Sequence, residues 1–189
     1  LPSFSASLRV SGLLRFGVRS SEAVTVSVTQ YYDRLGDDAV AHFRDDRETF
    51  RVEDYPDCES VHIYGQECLL IGDLAAQATT GASQKKLVSG AVSGFAGVPV
   101  YDDGDFPFLI ERRTAELASR LMDDLRPEDL RRACDLGRLK AQYREVEEWL
   151  WEDWGPNVFE EQLLPKFEMV RGLYRRAAER EQQVIVGWF

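Results

Sequence analysis

Histidine and cysteine are scarce in this 189-residue chain, at two and three residues, and no apolar run is long enough to cross a bilayer. With only His42 and His62, little general-base material of the usual kind is present, and no G-x-S-x-G elbow supplies a nucleophilic serine. Cys58, Cys68 and Cys134 are odd in number and lack framework spacing, which suits buried thiols in a reducing compartment better than disulfides. Basic charge is also short. Lys and Arg number 23 against 33 Asp and Glu, giving a formal net charge of -10. A generic grip on nucleic acid needs a basic field, so basic or Arg-rich protein partners are expected instead.

What is present is a chain of ordinary globular composition, long enough for one domain with a real core. The stretch 106–154 reads as two consecutive amphipathic helices. Ile110, Thr114, Leu117, Leu121 and Leu125 mark the first face, and Leu130, Leu136, Leu139, Tyr143, Val146 and Leu150 the second. Pro127 followed by Glu128 and Asp129 signals a fresh helix start with acids at its positive end. Such a pair needs a sheet to lie on, and the preceding residues supply period-two patterns at 3–18 and 23–30. Shorter strands are expected at 39–44, 48–53, 60–71 and 98–101, the separations favouring consecutive antiparallel hairpins. Residues 74–97 are rich in Ala, Gly, Ser and Thr, and read either as a small-residue helix packed closely on another backbone or as a loop. A further helix spans 158–182, kinked or restarted at Pro165, with Phe167, Val170, Leu173, Tyr174 and Ala177 as its stripe. The apolar end at 184–189 calls for cover.

Motifs that resemble chemistry have simpler readings. Cys58, His62 and Cys68 follow C-x3-H-x5-C but lack a fourth soft ligand. Ser89 and Ser93 among glycines indicate close backbone packing. The run at 81–86 lacks the spacing of a phosphate loop. The acid-rich stretch 37–59 reads mostly as a solvated face that can steer a basic partner. No cofactor or metal is expected.

With these elements placed, the order resembles the mitochondrial acidic matrix protein family, also called the mitochondrial glycoprotein family, over residues 3–153. SASLRVSGLLRFGVRSSEAVTVSVTQ is similar to its opening strand pair, 39–45, 49–56 and 60–71 to its next three strands, and REVEEWL at 144–150 to its terminal helix signature, with Val146 in place of a tyrosine. The resemblance implies a twisted antiparallel sheet flanked by helices, and with the patterns above the expected fold is α+β: a consecutive antiparallel sheet, an amphipathic helix pair and, as a departure from the family, a C-terminal helical extension. The chain is thus expected to comprise a domain at 1–154, in which 74–97 departs from the family as an insertion, and an extension at 155–189 that runs past the family's usual end. The resemblance also implies a non-catalytic scaffold or binding subunit of the mitochondrial matrix, homo- or heterotrimeric, with no direct nucleic-acid contact. The Leu1-Pro2 start fits transit-peptide cleavage or an arbitrary boundary equally.

The extra segments suggest an accessory component of a larger assembly, such as a respiratory complex of oxidative phosphorylation, the ATP synthase or the mitoribosome. Trp151, Trp154, Ile185, Trp188 and Phe189 are the expected partner contacts, because exposed aromatic and large apolar groups anchor interfaces. The alternative is a small-ligand or lipid carrier with an apolar cavity between sheet and helices. Filling of that interior discriminates the two.

Overall fold

The computed structural model describes residues 29–46, 48–100, 107–142 and 157–188. Five antiparallel strands form one sheet in the order β2-β1-β5-β4-β3, with β1 at Thr29–Leu35, β2 at Glu59–Tyr64, β3 at Val98–Pro99, β4 at Phe108–Ile110 and β5 at Gln183–Trp188. The fold is therefore α+β with an antiparallel sheet. Its strand order does not follow the chain: β5 lies between β1 and β4. The segment expected to be an extension after residue 154 thus supplies the middle strand, so it shares one core with the preceding residues. The expected strand at 3–18 lies outside the described residues, as does most of that at 23–30.

The inner face of the sheet carries most of the helices: α2 (Gly65–Ala78), α3 (Ala82–Ser93), α4 (Arg112–Asp123), α5 (Pro127–Ala133) and α6 (Leu136–Gln142), and, after a π-helical turn at Phe159–Leu163, α7 (Leu164–Glu179). The outer face carries α1 (Asp37–Asp45) and the chain that follows it. Strand parity sorts the two cores. Tyr32, Val61, Ile63, Ile110, Val184 and Val186 face inward, while Tyr31, Leu35, Leu109 and Ile185 face outward. A strand covered on both sides is apolar almost throughout, which explains the run Val184, Ile185 and Val186, all 0% exposed.

Several expected strands are helical. Residues 39–44 belong to α1, because Asp37 and Asp38 favour a helix N-terminus and Ala39, Val40 and Phe43 bury one helical face. Residues 48–53 are not a strand: Phe50 drops into the outer core, and a short 3-10 turn follows at Val52–Asp54. The strand expected at 60–71 stops at Tyr64, and its second half opens α2, where Leu70, Ile71 and Leu74 are buried. A continuous apolar run cannot distinguish a buried strand from a buried helix.

Of the two readings of 74–97, the helix holds, and the segment is no appendage. α3 lies on α2 so closely that a Cβ on Gly72 would stand 3.5 Å from the Ser89 carbonyl. Pro165 lies inside a helical run that is continuous from residue 158, directly after the π-helical turn at Phe159–Leu163 that widens the helix where proline cannot donate, and all five expected stripe residues are buried. α4 starts later than expected, after β4, and turns a different face inward: Ala115, Ala118, Ser119 and Met122 are buried while Leu117 is 48% exposed. Leu130 and Leu139 are buried on α5 and α6; Tyr143, Val146 and Leu150 lie outside the described residues.

Candidate functional site

Three neighbouring strands place six side-chain positions in a grid on the outer sheet face. Tyr31 on β1 stands between His62 on β2 and Gly187 on β5, and Asp33 stands between Ser60 and Ile185. Gly187 decides where the Tyr31 ring goes. A Cβ there would come within 2.7 Å of Tyr31 Cε1, so the ring reclines over the bare glycine backbone, as aromatic side chains do across from glycine in sheets. The chain after α1 passes over this face and adds Phe50, Arg51, Val52 and Glu53. Together they line an open groove of ≈ 330 Å³.

The segment is held in place by its own polar contacts. Tyr55 Oη lies 2.7 Å from His42 Nδ1, His42 Nε2 lies 3.2 Å from Thr49 Oγ1, and Thr49 donates to Asp46 at 2.6 Å. Since Thr49 gives its proton to Asp46, it accepts from His42 Nε2–H, which leaves Nδ1 to accept from Tyr55. Phe50 stacks on Tyr55 with centroids 5.6 Å apart and meets Phe43 edge-on at 5.2 Å. His42 thus serves as a clasp that fixes a groove wall.

At the floor, Ser60 Oγ donates to Asp33 Oδ1 at 2.5 Å, and His62 Nε2 lies 2.8 Å from Ser60 Oγ. Ser60 has one proton and gives it to the carboxylate, so His62 donates to it. This order, carboxylate-serine-histidine, is not that of a nucleophilic triad, in which histidine takes the serine proton. Asp33 is 8% exposed. Burial pushes its carboxyl from 3.8 up to about 6; the Ser60 hydrogen bond and His62 oppose the rise, and Glu53 adds to it.

No protein-family model matches the chain, and no curated protein sequence does. The fold has a solved counterpart. It is similar to the crystal structure of YfbM from Escherichia coli, a protein of unknown function, with a TM-score of 0.58 and 12% identity over 85% of this chain and 99% of that one. At that identity the likeness shows the fold alone.

The residues singled out from sequence fall in different places. Ile185 is a correction: it is 0% exposed in the middle of the sheet, so it is a core residue and not an exposed anchor. Trp188 pairs with Gln30 at the end of β5. Trp151, Trp154 and Phe189 lie outside the described residues. The C-x3-H-x5-C group is split by the sheet. His62 is exposed on the outer face and Cys58 packs against the outer core, whereas Cys68 is buried on the inner side, 3.2 Å from Tyr32 Oη. Burial pushes the Cys68 thiol up to about 12, leaving it protonated and inert. Ser93 donates to the Ser89 carbonyl at 2.9 Å, an ordinary helix back-bond.

Sequence reasoning misses Tyr31, Asp33 and Ser60. The signal available is Ser60 and His62 two apart on a strand, hence on one face. Their partner Asp33 lies beyond the expected strand at 23–30. A second depression, lined by residues including Gln77, Asp129, Arg132 and Arg138, is occupied by charges that pair locally: Arg132 with Asp129, and Arg138 with Asp73 at 2.5 Å.

Proposed function

We propose that this chain is a non-catalytic binding subunit that engages a basic protein partner through the acidic layer on the outer side of its sheet. The observation that carries this reading is a division among the acids of 37–59. Asp37 pairs with Arg112, Asp57 with Arg180 and Glu59 with Arg34 and Arg176. Asp38, Asp45, Glu48, Glu53 and Asp54 are exposed with no ion pair among the described residues. Acids with no cation partner among the described residues, in a chain of charge -10, attract and orient a basic surface.

The carrier alternative is disfavoured by the filling of the sheet–helix interior. The apolar gap lined by residues including Leu74, Leu130, Phe159 and Phe167 is too small to admit even one water molecule. A lipid or drug-sized ligand needs on the order of 300 Å³ or more. The mitochondrial setting is not needed for the binding reading: of the stretches carrying the resemblance, 39–45 is α1 and 49–56 crosses the sheet without joining it.

Recovery of the full chain from its source cells under native conditions tests the proposal. The expected result is a complex with a protein of pI above about 9, which dissociates as salt rises and is lost when Asp38, Asp45, Glu48, Glu53 and Asp54 are changed to Asn or Gln. A chain that runs alone, or a partner retained by the neutralised variant, overturns it.

A further inference from the structure

We infer that the outer groove seats one arginine side chain of the basic partner, with its guanidinium on the Asp33 carboxylate and its stem between Tyr31 and Phe50. This inference rests on the binding reading above and names the place where the partner's charge is read. The first ground is an unmet demand. An ionised carboxylate can accept about four hydrogen bonds, and among the described residues Ser60 is the one side chain that donates to Asp33. The other Asp33 oxygen is not a sealed orphan: among the described residues Arg34 Nε is the one buried side-chain N or O atom without a hydrogen-bond partner, so the remaining Asp33 acceptor sites face the groove that Asp33 lines. A guanidinium offers two parallel N–H donors and a full opposite charge, which is the complement of what is missing.

The second ground is the sign of the groups around that carboxylate. From the crossing segment, Glu53 faces it and adds negative charge. Arg51, the one arginine or lysine among the described lining residues, is turned to the backbone, donating to the carbonyls of Glu48 at 3.0 Å and Phe50 at 2.6 Å. From β2, His62 donates into Ser60. From β1, Tyr31 brings an aromatic ring, and Phe50 brings another. Two acids and two aromatic rings lining one groove suit a planar cation that stacks as well as pairs, which favours arginine over lysine. The size agrees: ≈ 330 Å³ is at the low end for ligand sites and suits a single side chain better than a folded element.

The acid that receives the cation is half-protonated near pH 6, so binding is linked to pH. A cation that binds only the ionised form loses about tenfold in affinity between pH 7.5 and pH 5, because a group of pKa near 6 is about nine-tenths protonated at the lower value.

The experiment titrates the full chain with Nα-acetyl-arginine methylamide and with its citrulline counterpart, following the Tyr31 and His62 ring resonances by NMR. The arginine probe is expected to shift both rings saturably at pH 7.5 and about tenfold more weakly at pH 5, while the uncharged citrulline probe leaves them unmoved. Asp33→Asn, which keeps the shape and the Ser60 contact, loses the binding and with it the pH dependence. Equal shifts from citrulline, an unaffected Asp33→Asn variant, or no shift from either probe overturns the inference. If Asp33→Asn still holds the native basic partner while the surface-neutralised variant releases it, the arginine seat is wrong and the binding reading stands. A native partner that is not basic overturns both.

Discussion

Asp33 works against the stability of the fold at neutral pH. Its carboxyl titrates near 3.8 when exposed and at about 6 in the folded chain, so the folded state binds its proton more tightly. The resulting stabilisation is complete below about pH 4 and is lost as pH rises through 6. The difference between the two values corresponds to at most about 3 kcal/mol. Asp33→Asn is therefore expected to raise stability by up to about 3 kcal/mol at pH 7.5 and to change it little at pH 4. Urea unfolding at both values measures this, and an equal effect at both would show that Asp33 is not the group responsible. By contrast, three polar side chains of the inner face find hydrogen-bond partners, although Arg34 Nε there does not: Tyr174 donates to the Ala91 carbonyl at 2.8 Å, and Gln30 and Tyr32 both donate to that of Val92, closing the end of α3. Sequence patterning cannot distinguish these two fates of a polar residue in a strand, because both depend on what comes to lie over it.

At the scale of elements, the informative comparison is α4 with α7. The α7 stripe is legible in the sequence because its inward positions are large: Phe167, Val170, Leu173 and Tyr174 stand out against arginines and glutamates. The α4 face is not, because its inward positions are mostly small. Ala115, Ala118 and Ser119 let the helix approach its neighbours closely, and the larger Leu117 takes their place in a reading by hydrophobic period. Leu117→Lys is accordingly expected to stay within about 0.5 kcal/mol of the parent. Ala118→Lys, which forces a long charged side chain into a 0% exposed position, should cost roughly 3 kcal/mol or more. Denaturant midpoints of the two variants decide between the faces, and the reverse ranking would mean that α4 is rotated. The same reasoning explains α1 and α2. Their short apolar runs read as strands, whereas the acids at 37 and 38 and the buried run through Leu70, Ile71 and Leu74 belong to helices. The groove is legible only in part. His62 stands out for the wrong chemistry, and its neighbours come from strands whose pairing no local pattern reveals.

For the whole molecule, the placement of β5 dominates. An Ile185 on an exposed tail could be changed to Asp with the fold intact and only partner binding impaired. As the structure places it, 0% exposed between β1 and β4, Ile185→Asp leaves a charge in the outer core and is expected to abolish cooperative unfolding, as read by circular dichroism during heating. A variant with a sharp transition near that of the parent would contradict this placement. The position of that strand also sets a timetable. β1 and β4 both form their ladders on residues 183–188, which leave the ribosome last of all the described elements. Until then, among the described strands, β1 has β2 alone to pair with, and its other edge presents a row of N–H and C=O groups of the kind that recruits other chains. Synthesis of this protein therefore passes through an interval in which the nascent sheet is open at its centre, when stalled or truncated copies would be recognised by chaperones and proteases rather than by any partner.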